Sequence, residues 1–270
     1  MNYSGIFYLI FNKKFIRFQI FEERFINSNS KLNNLCVILI LFSILEFYSL
    51  DYKNFLGSLD VHHEGTFLTA QMNFFDKAGV WTGTFFDYGF LGNSIGIIFN
   101  SLFSEYSIGI QRFSFKILIL LNKILIILIC KKIIDSLSTS NQKELLFLIF
   151  TLSALTLASF YEHVTPFHQR IFLYLIFTLM TFTIISSKSN NIFILLMTGS
   201  LSLITVLFYW DIGTYVNAIL CFVLIYLFII KRYSDFYKIL IGVISSWILF
   251  LFLTPQNELR EFINQYMVII

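Results

Sequence analysis

IFILLMTGSLSLITVLFYWDIGTYVNAILCFVLIYLFIIKR, residues 192–232, decides the fold. Two apolar runs, Ile192–Tyr209 and Thr214–Ile230, flank a short turn that carries Trp210, Asp211 and Gly213. A basic pair, Lys231 and Arg232, closes the second run. A bilayer core of about 30 Å is crossed by about 20 mostly apolar residues in a helix. Backbone groups left unpaired in lipid are too costly for any other spanning form of such a run. The stretch therefore predicts two membrane helices joined by a turn on one face, with cations on the other.

The same reading extends in both directions. Further apolar runs occur at Leu35–Leu50, Phe113–Cys130, Leu145–Phe160, Ile171–Ser186 and Ile239–Leu253, which gives about seven transmembrane helices in all. The expected fold is all-α, a polytopic membrane bundle. Composition agrees: 57% of residues are hydrophobic, 13% are charged, and the mean hydropathy is +0.76. Soluble domains carry about 25% charged residues. A water-soluble chain could not hide this much apolar surface. The 34 phenylalanines and the lysine excess over arginine fit an AT-rich coding bias and carry no functional message. Cys36, Cys130 and Cys221 each sit inside an apolar run without metal-ligand spacing, and read as packing or lipid-facing residues.

Residues 1–34 interleave Phe7, Phe11, Phe15 and Phe18 with Lys13, Lys14, Arg17 and Arg24. Those charges interrupt the apolar core that a cleavable signal needs. An amphipathic segment on the cytoplasmic membrane surface is expected there, with residues 35–270 as the transmembrane domain.

Orientation follows from the excess of Lys and Arg on the cytoplasmic side of membrane proteins. Alternation from a cytoplasmic N-terminus groups that segment with Lys131, Lys132 and Lys143, with Lys188, and with Lys231, Arg232 and Lys238. The opposite side keeps Lys53, Lys77, Arg170 and Arg260, and Arg112 at a helix start. All four histidines then fall outside, and Asp51, Asp60, Glu64, Asp76, Asp87, Glu105, Glu162 and Asp211 fall outside or at that interface. The expected location is the plasma (inner) membrane of a bacterium, with the N-terminus cytoplasmic.

The outer loop 51–112 is the one long polar stretch, and long loops in compact proteins are usually functional. If the run from Asp60 is helical, Asp60, His63 and Glu64 share a face through i, i+3 and i+4 spacing. Such a trio suits a divalent cation or a general base. The same run also reads as solvated polar surface. Phe90–Phe103, with Gly92 and Gly96, reads as an interfacial helix leading to Arg112. HExxH, CxxC, Walker A and GxGxxG patterns do not occur, so common metalloprotease, nucleotide and dinucleotide readings lack support. Nucleic acid is not an expected partner.

The stretch DVHHEGTFLTAQMNFFDKAGVWTGTFFDYGFLGNSIGIIFNSLFSEYSIGIQR, residues 60–112, resembles the first outer loop of GT-C membrane glycosyltransferases, which include protein mannosyltransferases and aminoarabinose transferases. The matching elements are Asp60 with His63 and Glu64, then Ala70, Gly79, Phe86-Asp87-Tyr88-Gly89 and Arg112. FYEHVTPFHQR, residues 160–170, resembles the family's polar outer turn, and Trp210, Asp211 and Gly213 resemble its element between later spans.

The resemblance implies a polyprenyl-phosphate sugar donor in the membrane lipid and transfer on the non-cytoplasmic face. It implies Asp60 as catalytic base or metal ligand, with Glu64 and His63 beside it. Arg112, His163, His168, Arg170 and Asp211 would bind substrate. A divalent cation on Asp60, His63 and Glu64 is the expected cofactor, if there is one. Arg112 and Arg170 also fit the role of snorkelling anchors, and Trp81 and Trp210 that of interfacial belt residues. Trp247 reads as packing.

GT-C enzymes usually carry more spans, so a partner chain completing a split enzyme is a second expectation, alongside an inert fragment or assembly partner. A transporter subunit is the remaining alternative, prompted by Lys116, Asn122 and Lys123 within the second span.

Overall fold

A computed structural model of the chain describes residues 30–48, 65, 68, 69, 72, 80–83, 90–103, 107–136, 142–160, 167–187 and 191–269. Among these residues the structure is helical, without strands. The expected amphipathic segment at 1–29 lies outside the described residues.

Nine helices follow in order among the described residues: α1 (Ser30–Tyr48), α2 (Phe90–Phe103), α3 (Ile108–Ser136), α4 (Lys143–Phe160), α5 (Phe167–Ser186), α6 (Ile192–Phe208), α7 (Trp210–Ile229), α8 (Tyr233–Leu253) and α9 (Gln256–Ile269). The expected apolar runs correspond to α1 and α3 to α8. Several helices outrun the apolar stretch. Helix α8 starts six residues before Ile239 and α7 four before Thr214, because polar residues at a membrane surface still complete the i to i−4 ladder. Helix α1 starts at Ser30, and Leu32 is fully buried against α3 and α4. The boundary expected at residue 34 therefore falls inside a helix. Three helical segments, Lys31–Tyr48, Trp210–Ile229 and Tyr233–Leu253, are long and apolar enough to cross a membrane. Two shorter apolar helical segments, Arg170–Ser186 and Ile192–Phe208, accompany them.

Packing divides the bundle into two neighbourhoods. Helices α1, α3 and α4 enclose Leu32, Cys36, Ile127, Cys130, Ile134 and Phe147. Helices α5 to α8 enclose a larger core that includes Phe177, Leu195, Tyr209, Val216 and Ile239. Helix α3 packs along α5 and joins the two, and α2 touches both α3 and α6.

Helices α6 and α8 run closest together, and glycine permits it. A Cβ on Gly199 would overlap the Ile239 carbonyl, and one on Gly242 would overlap the Leu196 carbonyl. Small residues at facing positions let apolar helices gain van der Waals contact that lipid cannot offer. A polar link reinforces the seam. Asn217 on α7 donates to the Ser202 carbonyl at 2.9 Å and accepts from the Ser202 hydroxyl at 2.6 Å, and Trp247 Nε1 on α8 donates to that hydroxyl at 2.9 Å. Trp247 thus packs, as expected, and also closes a hydrogen bond.

Outward surfaces of the bundle are apolar. Phe222 on α7 and Ile248 and Phe252 on α8 are exposed, as are Ile149 and Leu157 on α4. Large contiguous apolar surface of this kind marks contact with lipid or a partner.

Candidate functional site

The turn that opened the sequence reading builds one end of the bundle. Tyr209 separates α6 from α7 in extended conformation, with φ −150° and ψ 120°. The break reverses the chain within one residue, so α7 must approach α6 at once. Gly213 makes room for this, since a Cβ there would collide with the Val206 backbone. Gly92 on α2 serves the same end, because a Cβ there would lie 2.7 Å from the Phe208 carbonyl and 2.9 Å from the Tyr209 ring. Three segments therefore meet at residues 208–213.

Two of the expected substrate-binding residues come together at this place. Arg170, on the first turn of α5, has its guanidinium 3.7 Å from the Asp211 carboxylate and 5.7 Å from the centre of the Tyr209 ring. Their side chains are 35% and 45% exposed. An ion pair this exposed contributes only about 0–1 kcal/mol to stability. Its geometry is loose for a structural bridge, and the ring beneath the guanidinium holds the cation in place.

The other expected residues are distributed differently. Arg112 lies on the second turn of α3, half-buried beside Gln111 and Ser114, which are fully buried. The backbone of His168 lies on the first turn of α5, two residues before Arg170. Asp60, His63, Glu64 and His163 lie outside the described residues, as do Asp76 and Asp87. Among the described residues no group of three His, Cys, Asp or Glu side chains is placed to hold a metal. The candidate cation ligands Asp60, His63 and Glu64 are not among those residues.

The two tryptophans are not belt residues. Trp81 is 8% exposed and Trp210 2% exposed, whereas a belt ring must reach the lipid headgroups. Trp210 stacks on Phe262 of α9 at 5.3 Å between centroids, with Tyr266 at 5.1 Å. Trp81 meets Phe262 at 5.3 Å and Phe250 of α8 at 5.8 Å. An aromatic cluster thus ties residues 80–81 to the turn that carries Asp211. Such rings bury large areas and favour these edge and offset geometries.

Helix α9, which the apolar pattern does not announce, presents the polar side of the same cluster. Glu258 accepts hydrogen bonds from the Trp81 N–H at 2.6 Å, the Thr82 N–H at 3.2 Å and the Thr82 hydroxyl. Burial alone would push the Glu258 carboxyl up. The Thr82 hydroxyl and the N–H groups of Trp81, Thr82 and Val80 outweigh it and hold the carboxyl below the ordinary glutamate value. A signal for α9 exists in the sequence. Glu258, Phe262 and Gln265 fall at i, i+4 and i+7 directly after Pro255, so one face of a short helix carries them.

Of the residues that prompted a transport reading, Lys123 has a charged partner. Lys123 on α3, 7% exposed, donates to Glu46 of α1 at 2.8 Å. The charge is neutralised between two packed helices.

Compared with family models, with curated proteins and with solved structures, the chain matches none.

Proposed function

We propose that the chain is a seven-span glycosyltransferase of the GT-C kind in a bacterial plasma membrane, with its N-terminus in the cytoplasm. It would move a sugar from a polyprenyl-phosphate donor to an acceptor hydroxyl at the outer end of the bundle. The observation that carries this reading is the pairing of Arg170 with Asp211, whose chain neighbour Trp210 shares an aromatic cluster with Trp81. Three stretches that resemble separate elements of one family supply those residues, and they lie together at one end.

The chemistry asks little more of that end than it offers. The acceptor oxygen attacks the anomeric carbon while a base takes its proton. The bond from that carbon to the phosphate oxygen breaks, and the leaving polyprenyl phosphate keeps the electron pair. Arg170, held over Tyr209 and partly exposed, suits the charge that gathers on the phosphate. Asp60 is the base that the resemblance supplies, with Glu64 and His63 beside it. Lys123, one of the three residues that prompted the transporter alternative, is paired with Glu46.

Transfer from a panel of polyprenyl-phosphate sugars by the purified full chain tests the reading. Asp60→Asn keeps the side-chain volume and removes the charge. It should insert and bind donor normally yet lose transfer by about a hundredfold, the usual scale for loss of a general base. Asp76→Asn should transfer like the wild type. Equal transfer by Asp60→Asn and wild type would remove Asp60 from the chemistry, and absence of transfer from both would remove the enzyme reading.

A further inference from the structure

The proposed chemistry gives α9 no task, yet α9 makes the most elaborate polar contact at this end. Glu258 takes the N–H groups of Trp81 and Thr82 and the Thr82 hydroxyl. Two turns later on the same face, the Gln265 side-chain amide donates to the Trp81 carbonyl at 2.9 Å. One helix therefore holds the peptide groups on both sides of Trp81. Phe262 lies between these two polar residues and packs on the Trp81 ring. The next residue, Tyr266, places its hydroxyl 3.2 Å from the Thr214 hydroxyl on α7, one turn from Asp211.

Packing alone does not call for this arrangement. Glu258 is 6% exposed and Gln265 8% exposed. Polar groups buried that far cost free energy unless their hydrogen bonds are made, and an apolar side chain would fill the space without that demand. What the polar pair adds is direction. A carboxylate that accepts two consecutive N–H groups fixes the path of the backbone, whereas an apolar contact lets it slide. The segment so fixed belongs to the loop that carries the proposed base, and the same helix touches the segment that carries Asp211.

We infer that α9 is a strap that sets the first outer loop over the Arg170–Asp211 end, with Glu258 and Gln265 as positioning residues. Its catalytic consequence rests on the glycosyltransferase reading, and its structural consequence does not. The strap acts on the loop's place and touches no reacting atom. Its loss should therefore slow turnover without weakening the hold on donor.

Amide hydrogen exchange on the full chain in lipid nanodiscs tests the structural part, with Glu258→Gln as the variant and Glu261→Gln, whose carboxylate accepts from Asn264 of the same helix, as the charge-matched control. Glu258→Gln should speed exchange at Trp81 and Thr82 by about tenfold or more while α6 to α8 keep their protection, the pattern of local release. Glu261→Gln should exchange like the wild type. Gln265→Leu attacks the strap from its other end and should speed exchange of the Thr82 N–H by about threefold, again locally. Unchanged exchange at Trp81 and Thr82 in both variants would overturn the strap. Equal acceleration through the whole bundle would overturn it too, since that is general loosening. In the transfer assay, Glu258→Gln should lower kcat by about tenfold with KM for the polyprenyl-phosphate sugar within about twofold, as misplacement of a reacting group does. Local release with unchanged kcat would refute the positioning role. If the wild type transfers no sugar, the enzyme reading fails and the exchange result alone decides the strap.

Discussion

The two ends of the helix bundle are built on opposite plans. At the end where α7 begins, aromatic rings from Trp81, Trp210, Phe262 and Phe250 interlock, and the charged groups Arg170 and Asp211 remain partly exposed. At the end where α7 stops, charge is consumed by structure. Arg232 donates to Asp235 at 2.9 Å and to the Ile184 carbonyl at the close of α5, also at 2.9 Å. Their side chains are only 19% and 13% exposed. Lys231 completes that turn with φ 60°, a left-handed conformation of the kind that ends helices. On α3, Lys131 is likewise taken up by Asp135 at 2.9 Å. Arg232 and Lys131 pair locally at this end, and they belong to the cations from which the expected orientation is read. The aromatic end keeps Arg170 and Asp211 partly exposed and spends the buried Glu258 carboxylate on holding Trp81 and Thr82. A working site needs that second arrangement.

Substitution of one arginine at each end is the sharpest way to break this contrast. Arg170→Gln should lower sugar transfer by about a hundredfold, the scale for removing one group that stabilises developing charge, and leave the thermal midpoint almost unchanged. Arg232→Gln should do the reverse. Loss of its hydrogen bonds to a partly buried carboxylate and to a helix-end carbonyl should cost about 2 kcal/mol of stability, read as a lower midpoint in detergent, while transfer per folded molecule is retained. If Arg170→Gln destabilises the chain as Arg232→Gln does, the two ends do not differ in kind.

Acidification gives a smaller effect confined to the aromatic end. Glu258 binds its proton less readily when docked than when free. Its contribution is therefore complete above the ordinary glutamate value of 4.5, and is lost as pH falls below that value through the lower one of the docked group. Exchange at Trp81 and Thr82, taken relative to the intrinsic amide rate at each pH, should rise over that range, and Glu258→Gln should show no such rise. A rise in the variant equal to that in the wild type would assign the effect to other carboxylates.

Much of this contrast is legible in the sequence, and the missing part has a physical cause. Lipid makes apolar runs nearly unambiguous, so helices α3 to α8 follow from hydropathy within a few residues. The turn at Trp210–Gly213 reads as an outer connection because a charge there interrupts two long runs. What hydropathy misses is the pairing of side chains distant in sequence. Glu46 and Lys123 look like separate intrusions into the membrane until α1 and α3 pack together. Trp81 and Trp210 look like belt residues because an aromatic residue near a span end has the same composition whether it faces lipid or a neighbouring helix. Helix α9 escapes a search for apolar runs because its inward face carries Glu258 and Gln265, whose partners lie far away in the first outer loop. The site is legible only as a set of loops on one side. That Arg170 meets Asp211 across α5 and α7 is a property of the packing.

The sugar transfer proposed for the aromatic end depends on its facing away from the cytoplasm. In a chain whose Cys36, Cys130 and Cys221 are replaced by alanine, single substitutions Ser58→Cys and Ser189→Cys report the two sides directly. Intact cells treated with a membrane-impermeant thiol reagent should label the Ser58→Cys chain and spare the Ser189→Cys chain until the membrane is opened. Labelling of Ser189→Cys with Ser58→Cys protected would place the aromatic end in the cytoplasm and contradict the account.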